Sequence, residues 1–129
     1  MALAKTPQTL ISNATITTST PAVSANSVNL SGAIDFSIGF SMAFSASATT
    51  TGYVRIELYA DPTGANAAFS IGANDVAVDS YDIAVAAGKT ISGLVQMNRA
   101  GKYVKVKVVN ASGQSITGVS IYAIVQAQA

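Results

Sequence analysis

Residues 34–44 read IDFSIGFSMAF. Ile34, Phe36, Ile38, Phe40, Met42 and Phe44 occupy every second position, with Asp35, Ser37, Gly39, Ser41 and Ala43 between them. On a helix of 3.6 residues per turn, those six apolar side chains would be spread around the whole cylinder. On a strand, where successive side chains alternate, all six share one face. The stretch is therefore a half-buried antiparallel strand, apolar face to a core and small polar face outward. Gly39 falls on the polar face, where a glycine marks a bend, a bulge or a close neighbour.

The same two-residue period recurs on both sides. YVRIELYA (53–60) points Val54, Ile56 and Leu58 inward and Tyr53, Arg55, Glu57 and Tyr59 outward. KYVKVKVV (102–109) opposes Val104, Val106 and Val108 to Lys105 and Lys107, and ITGVSIYAIV (116–125) adds Val119 and Ile121 to the core. TLISNATIT (9–17), SVNL (27–30), DVAVDSYDIAV (75–85) and TISGLVQM (90–97) are further strand candidates. Between them lie DPTGAN (61–66), AAGK (86–89), NRAG (98–101) and NASGQS (110–115), rich in the residues that preset or tolerate turn dihedrals. Strands punctuated by turns about every ten residues predict an all-β fold, an antiparallel β-sandwich or jelly roll of about eight strands in a single domain over 1–129. TGANAAF (63–69) is the best helical candidate and a poor one, lacking an apolar stripe with caps. Residues 1–8 read as a flexible N-terminal arm, ordered only if a partner ties it down.

Composition narrows the function classes. Charged residues make up 10% of the 129, against a typical ~25%. A net charge of +1 provides no field to draw the protein to nucleic acid or an anionic membrane, and little repulsion between copies. There is no histidine, so a Ser-His-Asp or Cys-His mechanism has no base; there is no cysteine, so disulfides and thiolate zinc sites are excluded. No P-loop or dinucleotide fingerprint is present. The start, MALAKTPQTL, has no apolar run of the kind a secretory leader needs, and no run approaches the ~20 residues of a membrane helix. These features predict a protein without catalytic residues, cofactor or metal.

Each remaining polar cluster has a functional and a plainer reading. Asp75, Asp79 and Asp82, with Asp61 as a fourth, supply the hard oxygens calcium prefers, but their spacing fits no EF-hand loop, and solubilising loop carboxylates are the better account. Arg99, Lys102, Lys105 and Lys107 read as a solvated face that discourages edge pairing. Tyr53, Tyr59, Tyr81, Tyr103 and Tyr122 read as rim residues of a sandwich rather than a stacking platform for sugars. NAT (13–15) and NAS (110–112) are chance matches to the glycosylation pattern.

Three stretches, in order, carry a family resemblance: SVNLSGAIDFSIGFSMAF (27–44), VRIELYADPTG (54–64) and AGKYVKVKVVNASGQSITGVSIYAIV (100–125), with the polar opening TLISNATITTST (9–20). Together they resemble the small all-β structural proteins of tailed bacteriophages, the capsid decoration (cement) proteins and head-fibre bases. The resemblance implies a virion protein made in the host cytoplasm. It would bind the major capsid protein on the outside of the head as a homo-oligomer, a trimer by preference. It transfers no catalytic residue. Nor does it transfer any contact residue; apart from it, the contact surface is expected on the N-terminal segment, Leu3 to Thr18, with Leu3, Lys5, Thr6, Leu10 and Ile11, and second on the exposed tyrosines, Tyr53 and Tyr59. A tail, baseplate or receptor-binding protein on the same sandwich, and a carbohydrate-binding module, are the alternatives; the lack of tryptophan weighs against the last.

Overall fold

In the computed structural model, which describes residues 3–128, the alternating stretches form nine strands, and the described residues contain no helix. They are β1 (Leu3–Ile16), β2 (Ala22–Val23), β3 (Val28–Asn29), β4 (Ala33–Ala43), β5 (Tyr53–Ala60), β6 (Asp79–Ala84), β7 (Thr90–Gln96), β8 (Tyr103–Ala111) and β9 (Ile116–Gln128). Two sheets stack as a sandwich, every pairing antiparallel: β1-β9-β4-β7, and β2-β8-β5-β6 with β3 also on β8. Counting β2 and β3 as one broken strand gives the jelly-roll order, first beside last and third beside sixth. That break accounts for nine strands where about eight are expected. Ser24 bridges it: its N–H donates to the Val106 carbonyl (3.0 Å) and its hydroxyl accepts from the Val106 N–H (3.1 Å).

The core is the meeting of the inner faces. Phe36, Ile38 and Met42 of β4 and Val119 and Ile121 of β9 face Val54, Ile56 and Leu58 of β5 and Val104, Val106 and Val108 of β8, all buried. Each such side chain contributes about 1.5–3 kcal/mol on leaving water. Phe40 and Phe44 are buried at the margins.

Bulges account for two departures from simple alternation. Ala33 pairs with Ala127 but Asp35 with Gln126, so Ile34 is an extra residue in β4. It stands 44% exposed, although its sequence position assigns it to the core. In β1, Thr9 pairs with Tyr122 but Ile11 with Ile121, so Leu10 is extra, and the consecutive Leu10 and Ile11 both turn inward. Farther on, β9 carries an extra residue against both neighbours between Thr117 and Val119. Gly118 takes φ of 59° there, beside Asn13 at 48° in β1, both in the left-handed region.

Residues 3–8, an arm by sequence, form the first part of β1, paired from Leu3↔Gln128 to Gln8↔Ala123. Pro7 is accommodated because β1 is an edge strand. Met1 and Ala2 of that arm lie outside the described residues.

Candidate docking surface

The two outer faces of the sandwich differ in kind. The five-stranded sheet presents Arg55, Glu57, Asp82, Lys105 and Lys107, the residues that alternate with or sit opposite the buried valines and isoleucines. Arg55 reaches Asp82 by two bonds, Nε to Oδ1 at 2.7 Å and Nη2 to Oδ2 at 3.2 Å, and its guanidinium lies 4.8 Å over the half-buried Tyr53 ring. The hydrogen bond from Arg55 holds the Asp82 carboxyl below the usual carboxylate range. In so exposed a pair this is worth no more than about 1 kcal/mol.

The chain also folds a loop of its own over this sheet. Residues 61–78 leave β5 and cross β8 until the Ala67 carbonyl accepts from the Ser27 hydroxyl (2.7 Å), then return to β6. Asp61 anchors the exit: its Oδ2 accepts from the Asn66 N–H (2.9 Å), the Ala65 N–H (3.0 Å) and the Thr63 hydroxyl (2.7 Å). Bonds from the Asn66 backbone and the Thr63 hydroxyl pull its carboxyl below the ordinary value. Phe69 is carried onto the sheet, with Lys105 Nζ 5.5 Å from its ring. This loop covers two residues that sequence alternation leaves in solvent: Tyr59 is 7% exposed and Lys105 9%. The Tyr59 hydroxyl donates to Glu57 (3.1 Å), and burial, then that bond, pushes its ionisation up.

The outer face of the four-stranded sheet is bare of loops and nearly bare of charge. Its rows follow from the register: Pro7, Ile124, Ser37 and Gln96; then Thr9, Tyr122, Gly39 and Leu94; then Ser120, Ser41 and Ser92. The charges Lys5 and Asp35 flank Gln126 at one corner. Leu94 is 63% exposed and Tyr122 38%, and they lean toward each other over Gly39. A Cβ on that glycine would lie 3.7 Å from Tyr122 Cδ2 and 3.8 Å from Leu94 Cδ1, so Gly39 marks a close neighbour on each side. An apolar centre within a polar rim is the layout that docking surfaces share.

Among the contact residues suggested by sequence, Lys5 is exposed at a corner of this face, while Thr6 points the other way. Thr6 lines a mouth of about 240 Å³ between the sheets with Gln8, Val28 and Val125. Leu3 belongs to β1 by its backbone. Leu10, Ile11 and Tyr59 are buried within the fold, Tyr59 at the wall of a pocket of about 320 Å³ with Pro62, Asp75 and Val76, and Tyr53 lies on the opposite sheet beneath Arg55. The apolar residues of this face lie outside that set: Leu94 and Ile124 are visible in sequence only as members of alternating strands, and Tyr122 as one of the five tyrosines read as rim residues. The aspartates do not converge. Asp75 accepts from the Gly72 N–H, Asp79 from Ser80 and Asn98, and Asp82 from Arg55; among the described residues no three potential metal ligands come together. Asn110 of the second glycosylation match is buried and fully bonded.

No protein-family model matches the chain, and no curated protein does. Among solved structures, one of Bacillus endospore appendages, a family of disulfide-linked pili, is similar over 98% of this chain and 89% of that chain, at 15% identity and a TM-score of 0.48.

Proposed function

We propose that this protein is a non-catalytic virion structural subunit, a decoration protein that docks on the outside of a tailed-phage head with the bare face of its four-stranded sheet against the major capsid protein. The observation that carries the reading is the contrast between the faces: one is charged and roofed by the chain's own loop, the other loop-free, charged only at one corner and centred on Leu94 and Tyr122. The sequence resemblance provides the partner. The action is mass action: a ligand that binds the assembled shell and not its separated subunits stabilises the shell in proportion to its occupancy. The resemblance implies a trimer.

Binding to purified heads stripped of decoration tests the proposal. Tyr122→Glu puts a charge at the centre of the bare face and should weaken binding about tenfold or more, equivalent to about 1.4 kcal/mol. Glu57→Lys on the opposite sheet should leave binding unchanged. Equal binding by the Tyr122→Glu protein, with its melting intact, would overturn the assignment of this face.

A further inference from the structure

The sandwich has four sheet edges, and three are visibly protected against pairing. β1 carries Lys5, Pro7 and two extra residues. The β2/β3 edge is two residues, a break, then two more. β6 bears Asp79 and Asp82, and its start is crossed by the Asn98 N–H that bonds Asp79 (2.9 Å). β7 has none of these devices. Its sequence, TISGLVQ, holds no charge and no proline, and its pairing with β4 runs without a register shift from Thr90 to Gln96. Long, flat, uncharged edges are what natural sheets avoid leaving open.

The backbone of β7 also has a defined set of free groups. Met97 N–H donates to the Phe36 carbonyl (3.0 Å) and Phe44 N–H to the Lys89 carbonyl (2.9 Å), both continuing the β4–β7 register. In an antiparallel ladder the groups of alternate residues point to opposite sides. Ile91, Gly93 and Val95 therefore turn their N–H and C=O toward β4, and Thr90, Ser92, Leu94 and Gln96 turn theirs to the open edge. No bond among the described residues takes these up.

We infer that the partner of β7 is the β7 of a second copy, paired antiparallel about a twofold axis through Gly93. Only one edge of the second molecule is suited to pairing, and it is the same one. In this register Ser92 stands opposite Leu94 of the second copy and Thr90 opposite its Gln96, which uses all four outward residues in about eight hydrogen bonds. The two Gly93 residues meet at the axis, at a non-hydrogen-bonded position, where backbones come closest. The two Leu94 side chains become diagonal neighbours across the axis, within reach of each other, so the most exposed leucine of the face leaves water. With no charge on either strand and a net charge of only +1 on each chain, little opposes the approach.

The pairing does not rest on the shell-docking reading, but it bears on it. At about 4.8 Å between strands and about 3.4 Å per residue, the seven residues of register across four strands span roughly 450 Å², about half of what one side of a standard interface covers. The continuous eight-stranded sheet of the pair presents roughly 900 Å², which reaches that size.

Sedimentation of the full chain as a function of concentration is the test. The protein should form a dimer and nothing larger. Ser92→Pro removes an N–H that has no partner within the chain, and Ser92→Lys adds a charge at the edge; each should leave a cooperatively melting monomer, the lysine variant standing in if the proline disturbs the strand. Because the chain has no cysteine, register can be read by cross-linking. A mixture of Ser92→Cys and Leu94→Cys proteins should oxidise to a linked dimer far faster than either alone. Tyr122→Glu should still dimerise, which separates this proposal from shell docking. A wild-type protein that stays monomeric at every soluble concentration, a ladder of larger species, or a dimer untouched by both Ser92 variants would overturn it.

Discussion

The Phe40 ring occupies the space above Gly93. Phe40 faces Gly93 in the β4–β7 register, and its Cζ lies 2.7 Å from where a Cβ on that glycine would be. Beyond the ring stands Tyr81 of β6, centroids 6.1 Å apart and planes tilted by 36°. The aromatic pair closes the side of the sandwich between the edge strands β7 and β6, and it needs a strand with no side chain beneath it.

Gly93→Ala should therefore destabilise the fold by about 1–3 kcal/mol, the usual cost of forcing a packed side chain aside. Phe40→Ala should cost about 3–5 kcal/mol. Combining Gly93→Ala with Phe40→Leu should cost less than the sum of the single changes, because the smaller side chain makes room for the methyl group. Urea midpoints at constant slope measure all of these, and strict additivity would show that the two residues do not compete for the same space.

Asn110 joins the β8–β9 turn to the end of β1. Its Nδ2 donates to the carbonyls of Ile16 (2.9 Å) and Gln114 (2.7 Å), and its Oδ1 accepts from the Ser112 N–H (3.0 Å) and hydroxyl (2.6 Å). Asn110→Ala should cost about 1–3 kcal/mol for the buried partners it orphans. Asn110→Asp is the sharper test, since an ionised oxygen would face two carbonyl oxygens. Its carboxyl should titrate above the ordinary ~3.9. A raised value means that the variant's stability is greatest when the group is protonated, below pH ~4, and falls as pH rises through the shifted value. A constant difference from wild type across that range would contradict this.

Asp61 has the opposite sign. Its carboxyl is held low by the bonds from Asn66 and Thr63, so what it contributes is present above the unfolded value of ~3.9 and lost as pH falls through the lower, folded one. Acid should release the 61–78 loop before it melts the sheets. The amide resonances of Ala65 and Asn66 should titrate together with a midpoint below ~3.9, ahead of those of β5 and β8. Asp61→Asn should abolish that step, and its persistence would assign the transition elsewhere.

Four long strands, β4, β5, β8 and β9, were legible because period two survives wherever a strand is regular and one face is wet. Alternation misplaces Ile34, and it does not reveal that both Leu10 and Ile11 turn inward, because one inserted residue inverts the parity of every later position in the strand and leaves no local mark in sequence. It misplaces Tyr59 and Lys105 because their cover comes from the 61–78 loop, which has no period at all: Phe69 lies beside Lys105, and Pro62, Asp75 and Val76 stand around Tyr59. The bare face was illegible for another reason. Tyr122, Gly39 and Leu94 belong to three strands, and which of them are neighbours depends on strand order, which their separate alternations do not encode.

The first strand of the chain finds its pairing partner in the last, from Leu3↔Gln128 to Ile16↔Ile116. During synthesis β1 emerges well before β9, its strand partner among the described residues. Its leucines and isoleucines wait for that partner while the seven strands between are made. Folding then closes on the pairing most distant in sequence, which puts this chain among the slow, millisecond-to-second folders and makes nascent β1 the segment a chaperone has most reason to hold.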